Sequence, residues 1–325
     1  MTTDQAETTR VGQKGARRSA VTTVAVIAHS AKTFGGGLSE LRQVLESSGF
    51  PQPLWYEVAK SSQVPECARE AVRAGAELVF IWGGDGTVRR CVESLVDSGI
   101  PIAVLPAGTG NLLARNVGIP QDVQKAVAIG LYGDRHEIDT ATVNGKHFAI
   151  MAGAGFDALI MRDANDGLKE RAGRVAYVWS GARNLGQRPV KAKIDLEGRR
   201  FYKGPITCVL FGNMSEVLGG IEVFEGSSPD DGLIEMGVVS ARSRTQWMRT
   251  LARVAVGRAE SSPFVATTRG TDMRITFDKA VVYEVDGSEQ KPARKLRVKV
   301  RPRSTTICVP AQDQLPDSAE GQERP

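Results

Sequence analysis

Leu78-Val79-Phe80-Ile81-Trp82-Gly83-Gly84-Asp85-Gly86-Thr87 is the stretch whose reading decides the fold. Its apolar half has no polar alternation, which marks a strand buried on both faces. The glycine turn behind it opens a helix, because Val88, Cys91, Val92, Leu95 and Val96 recur at helical spacing, with Thr87 read as the N-cap. Three glycines around one aspartate allow left-handed backbone angles and close approach of a ligand. The first N–H groups of a helix aim at the same place and suit a phosphate. The same composition also suits a plain strand-to-helix corner, so the neighbours of the turn have to decide.

Outward from this stretch the pattern repeats. Val24-Ala25-Val26-Ile27-Ala28 reads as a buried strand, His29 to Gly37 as a glycine loop, and Leu38, Leu41, Val44 and Leu45 as one helical face. Leu54 to Val58 is a second strand, followed by Lys60-Ser61-Ser62 and a helix from Pro65 to Arg73. On the other side Ile102 to Leu105 is a fourth strand. It runs into Pro106-Ala107-Gly108-Thr109-Gly110-Asn111 and a short helix from Leu112 to Asn116. Strands alternating with helices predict a parallel sheet covered on both faces, with ligands outside the carboxyl ends of its strands. Two glycine turns at neighbouring strand ends, each with a threonine after glycine, read as one nucleotide site. The GxxxxGK[ST] loop, a GxGxxG after the first strand, and the HRD and DFG signatures are absent.

After Asp134 the texture changes. Arg135 to Met151 reads as a hairpin about Asn144-Gly145. Strand-like runs follow at Val190–Leu196, Arg199–Tyr202, Ile206–Phe211, Leu233–Val239, Met273–Phe277, Val281–Val285 and Leu296–Val300. Helical patterns sit near Arg174–Leu185 and Thr245–Val256. This spacing predicts an antiparallel β-sandwich. The expected organisation is a tail at 1–20, an α/β domain at 21–134 completed by 304–310, a sandwich at 135–303, and a tail at 311–325.

The totals exclude several classes. The chain has 325 residues, 41% hydrophobic and 24% charged, as in ordinary globular proteins. No apolar run is long enough to span a bilayer, and Met1 to Ala20 lacks the apolar core of a secretory signal. Four scattered cysteines and three histidines offer no disulfide framework or zinc spacing, which fits a cytoplasmic protein. The net charge of +5 suits an anionic partner, and no nucleic-acid recognition motif accompanies it. Lys295, Arg297, Lys299 and Arg301 alternate with Leu296, Val298 and Val300, which puts the cations on one strand face; Arg183, Arg188, Lys191 and Lys193 form a second cluster. Such faces suit an anionic lipid surface, and equally a solvated sheet edge.

Together these segments resemble the diacylglycerol kinase catalytic-domain family, the soluble lipid kinases that include bacterial diacylglycerol kinases and sphingosine kinases. The likeness runs from Val21 to about Pro310. Its anchors, in order, are Gly83 to Thr87, Pro106 to Asn111, Gly153-Ala154-Gly155-Phe156-Asp157, Pro229-Asp230-Asp231-Gly232-Leu233 and Asp286-Gly287. The resemblance implies an α/β domain like those of NAD kinase and phosphofructokinase, then a sandwich carrying the lipid site. It implies transfer of the γ-phosphoryl group of ATP to a lipid hydroxyl, diacylglycerol first, giving phosphatidic acid. A soluble acceptor such as NAD, or an impaired nucleotide- or lipid-binding regulator, are the alternatives. The expected partners are ATP and a lipid acceptor at the inner membrane face, with a homodimer left open.

By this resemblance Gly83, Gly84, Asp85, Gly86, Thr87, Val88 and Arg89 bind the ATP phosphates. Gly108, Thr109, Gly110, Asn111 and a hydroxyl from Ser61 or Ser62 assist them. Asp231, with Asp230 and the carbonyls of Ser228 and Leu233, matches the family's Mg²⁺ segment, and hard oxygen ligands suit that ion; the same residues also suit a surface turn. The family's base is the Glu of an Asp-Gly-Glu motif, where this chain has Ser288. Glu289, after a one-residue slip, or Asp286 is expected to replace it. Asp157 resembles the acid beside the acceptor hydroxyl, and otherwise reads as a helix cap. His29-Ser30 departs from the family's Asn-Pro, and Leu112 stands where Asp often follows Asn111. Arg89 stands where Asn is common, and reads either as a cation for phosphate or as a solvated helix residue.

Overall fold

The computed structural model describes residues 21–155, 189–218, 221–224, 226–255, 258 and 261–311. Asp157, Arg183, Arg188, the helix expected at 174–185 and the tails expected at 1–20 and beyond residue 311 lie outside the described residues.

Strands β1 (Val24–His29), β2 (Leu54–Val58), β3 (Leu78–Gly83) and β4 (Ile102–Pro106) are parallel and lie in the order β2-β1-β3-β4. All residues of β3 and β4 are buried, as unbroken apolar runs require when both sheet faces are covered. The connecting helices are α1 (Gly37–Ser47), α2 (Val64–Arg73), α3 (Asp85–Leu95), α4 (Leu112–Asn116) and α5 (Val123–Tyr132). Helix α5 is capped by Asp122, whose carboxylate accepts the Lys125 N–H at 2.8 Å. Gly130 lets it close on β3, since a Cβ there would lie 2.3 Å from the Phe80 ring.

Among the described residues the remaining strands pair antiparallel with one another: β5 (Asp134–Val143), β6 (Lys146–Phe148), β7 (Met151–Ala154), β8 (Val190–Leu196), β9 (Arg199–Ile206), β10 (Cys208–Gly212), β11 (Glu216–Leu218), β12 (Ile221–Glu222), β13 (Ile234–Val239), β14 (Val265–Gly270), β15 (Asp272–Val285) and β16 (Ser288–Val309), with helix α6 (Arg244–Ala255) between β13 and β14. One layer runs β14-β13-β10-β7-β15-β16 and the other β9-β8-β15-β16-β5-β6, with long β15 and β16 shared between them. Phe148, Ile194, Phe211, Met236, Ile275 and Val298 fill the space between. An α/β domain followed by an antiparallel sandwich is the architecture that the sequence predicts.

Two details differ from the sequence reading. The runs Met273–Phe277 and Val281–Val285 are a single strand, because register shifts between Thr276 and Tyr283 absorb the polar interruption as bulges. The runs Leu296–Val300 and Thr306–Val309 are likewise parts of β16, a strand of 22 residues. At its far end Ile307 pairs in parallel with Ile102, so β16 joins the sandwich to the edge of the α/β sheet.

Candidate active site

The two glycine turns form one platform. Helix α3 starts earlier than its spacing implies: Gly84 is the N-cap and Asp85 the first residue, so Thr87 lies inside the first turn rather than at the cap. The N–H groups of Thr87 and Val88 both donate to the Gly84 carbonyl, at 2.9 and 3.0 Å, and both side chains are buried. These two residues shape the turn from behind, and its outer surface comes from half-exposed Gly84 and exposed Gly86. Asp85 is spent on the second turn, where its carboxylate accepts the N–H groups of Asn111 (3.0 Å) and Leu112 (2.6 Å) and so caps α4. Asn111, at φ +48°, accepts the Gly108 N–H at 2.8 Å and donates to the carbonyls of Gly108 and Pro106. The backbones touch: a Cβ on Gly108 would lie 2.4 Å from the Gly84 Cα. Thr109 is exposed at the rim.

The flanking loops end at the same sheet edge. Ser61, half-buried, and Ser62, exposed, sit in a short turn after β2, where the Gln63 side chain accepts the N–H groups of Ala59 and Lys60. After β1, Phe34 stacks on Trp82 at 4.5 Å, and the Trp82 indole donates to the Lys32 carbonyl. This loop already holds an anion of its own, because the Glu40 carboxylate accepts the Gly36 N–H at 2.6 Å.

Arg89 is not a solvated helix residue. It is buried rather than solvated, it pairs with Glu93 at 3.0 Å, and its charge helps keep Asp286 ionised. The late acidic hairpin therefore stands within electrostatic reach of the helix that the first glycine turn opens.

In that hairpin Asp286 is a clamp. Its carboxylate accepts the N–H groups of Ala149 (3.0 Å), Ile150 (3.1 Å) and Met151 (2.9 Å), and its own N–H donates to the Met151 carbonyl. Asn213 takes the other two carbonyls, Ile150 through its backbone N–H and Ala149 through its side chain. Burial pushes the Asp286 carboxyl up to about 6, against the three N–H donors and Arg89, which lower it. Three of its roughly four acceptor positions are used, so the expectation of Asp286 as a free base is corrected.

The hairpin closes tightly. Val285 faces Ser288 and Glu284 faces Glu289 across the two-residue turn Asp286-Gly287, both of whose φ angles are positive. Glu289 is exposed, and it shares a sheet face with Glu284, which the sequence reading passed over. Glu284 is 4% exposed, and its Oε2 has no partner among the described residues. Burial first, then the charges of Asp286 and Glu289, push its carboxyl up to about 7. The available signal was an acid at a core-strand position directly before an apolar residue and the Asp-Gly turn.

Comparison with known proteins agrees with this geometry. Residues 24–143 match the diacylglycerol kinase catalytic domain, and residues 150–309 match the YegS C-terminal NAD kinase beta sandwich-like domain. The diacylglycerol kinase of Mycobacterium tuberculosis is 31% identical over 220 residues, 66% of this chain and 71% of that protein. This chain belongs to the diacylglycerol kinase catalytic-domain family. It is a kinase that transfers phosphate to an alcohol, of a lipid kinase family whose members use ATP. The diacylglycerol kinase of Bacillus subtilis is 26% identical over 255 residues, 77% of this chain and 83% of its own. Among solved structures, a diacylglycerol kinase from Bacillus anthracis superposes with TM-score 0.72 at 20% identity, covering 90% of this chain and 98% of that one, and shares the fold.

The segment that the resemblance assigns to magnesium is Ser228 to Leu233. It is anchored by Asp139, another residue the sequence reading missed. Asp139 is wholly buried, its N–H donates to the Pro229 carbonyl, and its carboxylate accepts the N–H groups of Gly232 (2.6 Å) and Arg303 (2.8 Å). Asp230, although exposed, braces the loop, since Ser228 Oγ and His136 Nε2 bond its carboxylate and hold it below the usual range. Asp231 is exposed, with one oxygen on the Leu233 N–H at 2.9 Å. No group of three or more His, Cys, Asp or Glu converges among the described residues. One carboxylate with backbone carbonyls and water is a donor set that fits magnesium, which keeps several of its waters.

Proposed function

We propose that this kinase phosphorylates a lipid hydroxyl at a membrane surface, with diacylglycerol as the acceptor and phosphatidic acid as the product. The observation that carries the reading is the paired glycine platform at the start of α3, the helix whose Arg89 lies within electrostatic reach of Asp286 in the sandwich hairpin. The platform offers backbone N–H groups and glycine surface to the ATP phosphates. The acceptor oxygen forms a bond to the γ-phosphorus as the bond from that phosphorus to the oxygen of the departing ADP breaks. The hydroxyl proton passes to the Glu289 carboxylate and then to water. Magnesium, held by Asp231 with the carbonyls of Ser228 and Leu233, would neutralise phosphate charge when bound. The basic outer face of β16 supplies the attraction to anionic lipid.

The test is purified protein with labelled ATP and diacylglycerol, other lipid alcohols, or NAD. Label in phosphatidic acid is the expected result. Label only in the aqueous phase overturns the lipid assignment, and ATP binding without turnover identifies a regulator. Asp231→Ala should raise the magnesium concentration needed for half-maximal rate about tenfold or more, with an unchanged melting temperature.

A further inference from the structure

We propose that Glu284 and Glu289 act as one proton-sharing carboxyl pair, in which buried Glu284 keeps its proton and holds the Glu289 carboxylate in place. Glu284 is thus a positioning residue, and the inference rests on the reading of Glu289 as the base of the kinase.

The geometry is that of a tight hairpin. Glu284 and Glu289 are directly opposite across the strand pair. Side chains so placed have Cβ atoms about 4.5–5.5 Å apart, and two like charges there repel. Glu284 is buried with its Oε2 unpartnered among the described residues, and an isolated ionised carboxylate is costly to bury. The neutral form has one O–H to donate. Asp286 next to it has committed its oxygens to Ala149, Ile150 and Met151, which leaves Glu289 as the acceptor across the hairpin. The other facing positions carry no charge: Gly153 of β7 lies opposite Glu284, with Leu210 of β10 beyond it. The charges acting on Glu284 are those of Asp286 and Glu289, and Arg89 acts on Asp286.

A hydrogen bond from a neutral carboxyl stabilises the ionised form of its partner and fixes its orientation. Two carboxyls whose environments push their protons apart divide into a proton holder and a proton acceptor. Glu289, exposed and placed one residue beyond the position of the family's Glu, has no other such support among the described residues. Its working form has Glu284 neutral, so activity falls on the alkaline side as Glu284 ionises.

The experiment has two arms on the full chain. In the first, carboxyl resonances of ¹³C-Glu-labelled wild type, Glu284→Gln and Glu289→Gln are followed against pH. Wild type should show one glutamate titrating near neutrality, which Glu284→Gln removes and Glu289→Gln moves to lower pH. An unmoved titration in Glu289→Gln overturns the pair. In the second, kcat and KM for the lipid acceptor are measured against pH. Glu284→Ala should lower kcat about 100-fold with KM little changed. Glu284→Gln, which keeps an N–H donor and cannot ionise, should restore most of that loss and abolish the alkaline limb. A Glu284→Gln enzyme as slow as Glu284→Ala, or one retaining the wild-type alkaline limb, overturns the positioning role. Failure of wild type to phosphorylate any lipid defeats the kinase reading, while the resonance arm still decides the pair.

Discussion

Asp85, Asp139 and Asp286 are alike in one respect: each spends its carboxylate on backbone N–H groups of a distant segment. Acids so bonded hold loops in register, and each N–H donor favours the ionised form. Glu284 lacks such donors, and the consequence for stability can be signed. Its carboxyl is pushed up to about 7 in the folded chain against an ordinary 4.5. A value raised on folding means that the favourable contribution is fully present below pH 4.5 and is lost as pH climbs to about 7. Glu284→Gln stays neutral throughout. It should therefore match wild type near pH 4 and exceed it at pH 8 by roughly 3 kcal/mol, in proportion to the shift. Urea unfolding at the two pH values measures this directly. Equal stability gaps at both would mean that Glu284 is ionised in the native state and accommodated in another way.

At the scale of elements, the strand–turn–helix units β3-α3 and β4-α4 were legible because buried parallel strands are written as unbroken apolar runs ending in glycine. What the runs did not reveal is that the two turns are locked backbone to backbone at Gly84 and Gly108. Asp139 and Asn213 were invisible for a related reason. Asp139 bonds to Gly232 and Arg303, 93 and 164 residues away, and no local pattern records a partner so remote. The unity of β15 was hidden by polar residues that look like a turn and lie in a bulged strand. The contact of the turns yields a prediction. Gly108→Ala puts a methyl where only 2.4 Å separates it from the Gly84 Cα, and the listening partner on that side is backbone, which cannot rotate away. The platform should open, raising the KM for ATP at least tenfold and costing about 1–3 kcal/mol of stability, as overpacked sites do. Gly86→Ala, with open space around its Cβ position, is the control and should leave the melting temperature nearly unchanged. An unaltered ATP affinity in Gly108→Ala would show that the two turns bind independently.

At the scale of the molecule, no helix among the described residues is long and apolar enough to cross a membrane, and the proposed lipid acceptor directs attention to the charge on the surface. The outer face of the second sandwich layer is the basic one. Leu296 and Val298 point into the core, which turns Lys295, Arg297, Lys299 and Arg301 outward. Cross-strand register extends the row, placing Lys295 opposite Thr276, Thr276 opposite Lys193, and Lys193 opposite Lys203. Part of this charge is already engaged, since Asp272 pairs with Arg297 and Arg274, and Asp97 pairs with Arg301. The lysines are then the main carriers of the outward field. Each cation near an anionic bilayer contributes about 1 kcal/mol, so Lys295→Gln with Lys299→Gln should weaken binding to phosphatidylglycerol vesicles roughly 30-fold. Raising the salt to about 1 M, where the screening length falls to about 3 Å, should erase the difference between variant and wild type. Turnover of a water-soluble short-chain diacylglycerol should be the same for both, because neither lysine belongs to the phosphoryl-transfer site. Co-sedimentation with vesicles decides the matter: undiminished binding by the double variant would assign the lysines to a solvated sheet face and move membrane attachment elsewhere on the kinase.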